Sequence, residues 1–320
     1  MKRLPVLFSI ILIIALSSCQ KDESIAVSGV LINKSALSFV VGATDILTTT
    51  VVPEGATDPS VIWSTSNAAV ATVSTEGLVF AVGEGNAIIT AKSRSSNCEA
   101  TCSVMVIKAT KPHQLLGLGI NLTDEHSNNA NYEWYIDQFT TGQYASINCG
   151  PSCITMAIKW ANPSFAKEAV DAREAYGSTG GGWPIGYITS YLYDNSISYT
   201  TVTAENANAN YLKNQLKLGR IAIIALDAYY IQRHYGNTEG RTDKFYATAF
   251  SPWPHYIIAK GYKVVDQILW FEVYDPYSWN EKYEDGTLKG RDRYYRSGDI
   301  ELAMEKLRYS IPMVLVNKQE

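Results

Sequence analysis

The chain has 320 residues, 46% of them apolar and 18% charged, with a formal net charge of −4 and a pI near 5.7. This length allows more than one domain, and the composition is that of a folded protein rather than a disordered or fibrous one. The mildly acidic balance gives no reason to expect a nucleic acid or an anionic lipid surface as ligand.

Residues 1–18 read as a targeting signal. Lys2 and Arg3 form a basic start, and LPVLFSIILIIAL is apolar but shorter than the ~20 residues a membrane-spanning helix needs. The run ends in LSSC, which resembles a bacterial lipobox. That resemblance implies cleavage before Cys19 and a lipid on Cys19, followed by a tether at 19–25. The acidic pair Asp22-Glu23 resembles a surface-export tag of Gram-negative lipoproteins, so the expected location is extracytoplasmic, lipid-anchored at an outer membrane or cell surface.

Residues 26–108 read as all-β. VLINKSALSFV, ILTTTVV, VIWSTS, AVATVS, GLVFAV, NAIITAKS and ATCSVMVI are short, rich in Val, Ile and Thr, and separated by Pro, Gly, Asn and Asp. Several such strands in so short a span predict a sandwich. The stretch VIWSTSNAAVATVSTEGLVFAVGEGNAIITAKS resembles the bacterial Ig-like domain of group 2, with Trp63 as its core aromatic; the resemblance implies a spacer role. Cys98 and Cys102 would lie ~13 Å apart on one strand, too far to bridge, and Cys149 and Cys153 one helical turn apart. Two CxxxC pairs with only four histidines do not make a zinc pattern, so no metal or cofactor is expected.

Residues 109–114, ATKPHQ, read as a linker containing His113. From 115 to 320 the pattern is α+β. PSFAKEAVDAREAYG predicts a helix capped by Ser164, with Phe165, Ala169, Ala172 and Tyr176 on one face. YLKNQLKLG predicts a second helix. RIAIIAL, HYIIAKGY and ILWFEVY predict consecutive buried strands, DIELAMEKLR a late helix and YSIPMVLV a last strand. Helices first and strands after imply a segregated plan.

The segment QYASINCGPSC carries the chemistry. A helix beginning at NCGPSC would use Asn148 as cap and hold Pro151 in its first turn, where a missing N–H costs nothing. Cys149 then sits at the positive end of the helix dipole, which favours the thiolate nucleophile, while Cys153 faces the core. A thiolate needs a base. His113 lies in the linker, His126 in a polar run read as a loop, and His234 beyond a strand. His255 opens the strand PHYIIAKGY and is favoured over His234. Asp275, at the end of the neighbouring strand, is favoured over Asp266 as the acceptor that orients it. Gln143 and the Cys149 N–H are the candidate oxyanion donors. The glycine run GSTGGGWP lacks the Lys-Ser/Thr of a phosphate loop and suggests a cleft lip, with Trp183 as a substrate contact.

Gln143, Cys149, His255 and Asp275, in that order, resemble the papain-like cysteine peptidases, and the nearest likeness is to the bacteriocin-processing (double-glycine) peptidase-like group. QYASINCGPSCITMAIKW resembles its nucleophile helix, HYIIAKGY its histidine strand and Asp275-Pro276 its third residue. The resemblance implies a papain-like fold for 115–320 and hydrolysis of a peptide or protein substrate through a thioester. Cleavage of double-glycine leaders is not expected, because the transporter-linked members work from the cytoplasm and this chain is expected outside it. Two rival readings use the same residues: an adhesive surface protein with a catalytically dead papain-like scaffold, and a transglutaminase-like amide transferase.

Overall fold

The computed structural model describes residues 24–176, 180–233 and 240–319. Cys19, with the signal segment around it, and His234 lie outside the described residues.

The N-terminal part is built of β1 (Gly29–Ile32), β2 (Ala36–Val40), β3 (Thr44–Ile46), β4 (Thr49–Val52), β5 (Val61–Thr65), β6 (Ala71–Val73), β7 (Leu78–Ala81), β8 (Gly85–Ser93) and β9 (Glu99–Ile107). One sheet runs β2-β9-β8-β5, with β2 parallel to β9, and a second runs β3-β7-β6. Side chains alternate as a pleat demands: Ala87, Ile89 and Ala91 of β8 and Cys102, Val104 and Val106 of β9 point inward. Trp63 is half-buried and packs against the edge of this core rather than filling its centre. Cys98 and Cys102 are free thiols.

The stretch read as a linker is more structured than its polar composition suggests. Pro112–Leu115 forms a short helix, α1, and Gln114 Oε1 accepts the backbone N–H groups of Thr110 and Lys111 at 2.8 and 2.9 Å. His113 is buried, its Nε2 2.9 Å from the Ile120 carbonyl.

The C-terminal part centres on an antiparallel sheet of seven strands. Its strands are β10 (Leu122–Ser127), β11 (Tyr199–Val202), β12 (Ile221–Asp227), β13 (Pro254–Val265), β14 (Ile268–Tyr274), β15 (Arg293–Arg296) and β16 (Met313–Val316). The order is β11-β16-β12-β13-β14-β15, with β10 pairing along the far half of β13. His126 therefore lies on a strand, not in a loop. Its run TDEHS is polar because β10 contributes backbone pairing and buries almost nothing.

Helices cover both faces of this sheet, not one. The chain supplies α2 (Cys149–Ala161), α3 (Ala169–Ala175), α4 (Ile185–Asp194), α5 (Ala209–Lys217) and α6 (Ser297–Leu307). Residues of α2 and α4 pack on Ile221, Ile223 and Ala225 of β12, while α5 and α6 pack on Ala222, Ile224 and Leu226. All seven residues of β12 are consequently buried, which accounts for its unbroken apolar sequence. The helix expected from Ser164 begins only at Ala169. Glu168 occupies the cap position, with its N–H on Asp171 Oδ2 at 2.7 Å. Nearly every side chain of α2 is buried, so the apolar stripe expected from its sequence broadens into a helix enclosed on all sides.

Candidate active site

Three elements converge on Cys149. It is the first residue of α2, with Pro151 in the first turn as its sequence demands. Asn148 does not cap this helix. Its Nδ2 donates to Thr141 Oγ1 at 2.8 Å, and its Oδ1 accepts from Arg173, whose guanidinium also donates to the Ile147 carbonyl at 2.9 Å. The segment that delivers Cys149 is thus held by a buried side-chain lattice rather than by a local cap.

His255 lies near the start of β13 and Asp275 directly after β14, so the antiparallel register brings both to one end of the sheet. His255 Nε2 is 2.7 Å from Asp275 Oδ1, and His255 and Cys149 line the same cleft. With Nε2 committed to the carboxylate, Nδ1 is the nitrogen left for the sulfur. Asp275 is fully enclosed. Oδ1 also accepts the Tyr277 N–H at 2.9 Å, and Oδ2 accepts the hydroxyls of Tyr246 and Tyr295, at 2.9 and 2.5 Å.

The electrostatics follow. Burial pushes the Cys149 thiol up, but the hydrogen bond and positive charge of His255, with the N–H groups of Tyr256 and Gly150, more than offset it, and the net shift is downward. For His255, burial lowers the pKa, and the charge and hydrogen bond of Asp275 together with the bond to Cys149 carry it to about 10. Asp275 is pushed up by burial but held below the usual carboxylate range by His255, Tyr295 and the Tyr277 N–H. Cys153, one turn along α2, is raised far above an ordinary thiol, chiefly by burial. The arrangement favours a Cys149 thiolate facing a His255 imidazolium.

The cleft over this pair has a volume of about 310 Å³ and is lined by Gln138, Ile147, Phe250, Trp253 and Tyr277, among others. Gln143 is not among its lining residues. It sits exposed on a turn after Gly142, which has φ +88°, and the 3₁₀ turn Ala145–Ile147 intervenes before Cys149. Gln138 does line the cleft. Its backbone N–H donates to Pro276 O at 2.9 Å, next to Asp275, and its side-chain Nε2 donates to Ala145 O at 2.9 Å, leaving one amide hydrogen free.

Trp183 is likewise not a cleft contact. It is 3% exposed, its carbonyl accepts the Tyr256 hydroxyl at 2.8 Å, and it packs against Gly150, where an added Cβ would lie 2.7 Å from Trp183 Cβ. Asp266 lies at the far end of the β13–β14 hairpin, accepting the N–H groups of Ile120 and Asn121 at 2.7 and 3.0 Å. His126 bonds Asn128 Oδ1 at 3.0 Å, so neither it nor His113 approaches Cys149. Tyr246, Tyr295 and Gln138 are the site residues that sequence reasoning missed. Only the alternation in RYYR, with Tyr294 and Tyr295 on opposite faces of β15, hinted at an inward hydroxyl.

Residues 26–104 match the family model of the bacterial Ig-like domain (group 2), and this part of the chain is Ig-like. An uncharacterised protein of Clostridium acetobutylicum is 37% identical over 98 residues, which are 30% of this chain and 24% of that protein. The chain thus spans about a quarter of the curated relative it matches. Among solved structures, domains 1–6 of the surface layer protein SbsC are similar at 20% identity over 27% of this chain and 14% of that one, with a TM-score of 0.24. A candidate C39-like peptidase from Bacillus anthracis is similar at 12% identity over 62% of this chain and 100% of its own, with a TM-score of 0.41.

Proposed function

We propose that the chain is a papain-like cysteine peptidase that acts outside the cytoplasm, with its Ig-like domain as a spacer. The observation that carries this reading is the contiguous set Cys149, His255 and Asp275, with Cys149 at a helix N-terminus and 2.7 Å between His255 and Asp275. The Cys149 thiolate attacks the scissile carbonyl carbon. The oxyanion is received by the Cys149 N–H and the free amide hydrogen of Gln138. His255 passes its Nδ1 proton to the leaving amine, and the acyl group remains on sulfur as a thioester. His255, now neutral, takes a proton from water; the hydroxide displaces the thiolate and the acid product departs. Asp275 fixes the ring through Nε2 throughout. The lipid on Cys19 belongs to the same proposal and rests on the sequence LSSC.

The test is hydrolysis of a peptide library by the full chain, read by mass spectrometry, beside Cys149→Ala, Cys153→Ala and His255→Ala. New termini should appear with wild type and Cys153→Ala and vanish with the other two. Cleavage that survives Cys149→Ala removes Cys149 as the nucleophile, and a wild-type chain that cleaves nothing removes the peptidase reading and leaves the dead-scaffold one.

A further inference from the structure

Aromatic side chains form one connected run beside the Cys149–His255 pair. Phe250 lies 5.4 Å from Trp253, Trp253 6.4 Å from Tyr277, and Tyr277 5.7 Å from Trp279 and 5.0 Å from Phe139, between ring centroids. Phe250, Trp253 and Tyr277 line the same cleft as the reactive sulfur. Phe250 and Trp279 are 62% and 54% exposed, an unusual state for large rings that touch other rings. Both parts of the run are rigidly mounted. Buried Asp227 accepts the Ser251 hydroxyl at 2.6 Å and the Trp253 N–H at 2.8 Å. Buried Asp137 accepts the Phe139 N–H at 2.9 Å, the Ser278 hydroxyl at 2.5 Å and the Asn280 N–H at 2.6 Å. These bonds hold Trp279 and Asn280 at φ +53° and +56°, a conformation that residues with a side chain seldom adopt.

We propose that this run is the substrate-recognition wall, and that the peptide cleaved carries an aromatic or large aliphatic side chain within two residues of the scissile bond. The inference rests on the peptidase reading for its occupant: a cleft floored by Cys149 and His255 is filled by whatever is cleaved there. Its chemistry follows from the lining. Among the described residues, apart from the Cys149–His255 pair, whose charges oppose each other, none of the lining side chains carries a charge to pair with a charged substrate residue. A glycine would leave the Phe250 and Trp253 rings in water, whereas a ring or branched aliphatic group would cover them. Preorganised walls favour such a fit, because the rings lose little freedom on binding.

The experiment uses the full chain and peptidyl chloromethyl ketones bearing Phe, Leu, Gly, Asp or Lys at the last or the penultimate position. Modification of Cys149 is followed by mass spectrometry, and rates are normalised to iodoacetamide alkylation of the same protein. At one of the two positions Phe and Leu should exceed Gly and Asp by about tenfold or more. Phe250→Ala and Trp253→Ala should shrink that ratio. A second arm measures binding of the matching unreactive peptides to Cys149→Ala by tryptophan fluorescence. Rapid labelling with no side-chain preference, or a preference for Gly, overturns the inference and leaves the peptidase reading standing. Selective binding of the Phe peptide to Cys149→Ala, together with a wild-type thiol that reacts like a free cysteine, does the reverse. Neither labelling nor binding overturns both.

Discussion

Asp275→Ala is the most demanding test of the site, because the carboxylate serves structure as well as chemistry. It bonds the buried hydroxyls of Tyr246 and Tyr295, His255 Nε2 and the Tyr277 N–H. Removing it strands three side-chain donors that are 1–5% exposed. A buried donor left without a partner costs about 1–3 kcal/mol, so the substitution should destabilise the C-terminal part by about 3–9 kcal/mol, the lower end applying if water enters the vacated space. That is a large share of the roughly 5–15 kcal/mol that holds a domain together. Asp275→Asn keeps the shape and one carbonyl acceptor, and the tyrosine hydroxyls can turn to accept from its amide, so it should cost less than half as much. Tyr246→Phe and Tyr295→Phe, each removing one bond, should cost about 1 kcal/mol apiece. Urea unfolding followed by tryptophan fluorescence reads this region well, since six of the seven tryptophans lie beyond residue 115. If Asp275→Ala unfolds within about 1 kcal/mol of wild type at an unchanged m-value, the carboxylate is not the keystone described.

Four further outcomes are expected. Iodoacetamide alkylation of Cys149 should rise as pH climbs through a value below the ~8.5 of a free thiol, then stay flat towards pH 10, where His255 loses its proton; His255→Ala should return the profile to the free-thiol range. In urea unfolding repeated across pH, His255, raised above its unfolded value, should contribute stability in full below about pH 6.5 and lose it as pH rises to about 10. Asp275, depressed, loses its contribution only as pH falls through its lowered pKa. Gln138→Ala should lower turnover about a hundredfold or more while Gln143→Ala leaves it unchanged; the opposite order in steady-state rates would restore Gln143 as donor. Gly150→Ala drives a Cβ to 2.7 Å from Trp183 Cβ and should cost about 1–3 kcal/mol in thermal unfolding, with slower Cys149 alkylation; a neutral result would mean Trp183 is not a rigid neighbour of the nucleophile.

What was legible in the sequence was local. Pro151 after Cys149 marks a helix start, and the apolar runs at 221–227, 254–265 and 268–274 mark strands because burial on both faces leaves no room for polar residues. Such signals place Cys149, His255 and Asp275 at the ends of regular elements. Two kinds of feature escaped. One is structure without a burial pattern: β10 is polar, and α4 (IGYITSYLYD) is so rich in aromatic and β-branched residues that its helical spacing, Ile188, Tyr191 and Leu192, is hard to see. The other is contact across the chain. Nothing near Asp275 announces that Tyr246 and Tyr295 will close over it. Nor does the spacing of Gln143 from Cys149 reveal the Gln138 N–H to Pro276 O bond, which ties the preceding segment to the chain beside Asp275.

The sulfur and its base are separated by more than a hundred residues of chain, and they meet only when α2 packs across β12 and β13. An extended or partly synthesised chain carries an ordinary thiol at 149 and an ordinary imidazole at 255. The perturbed thiol therefore arises only once this long-range contact has formed. Any state in which the chain is unfolded leaves the sulfur as inert as a free cysteine, with tertiary closure itself acting as the safety catch.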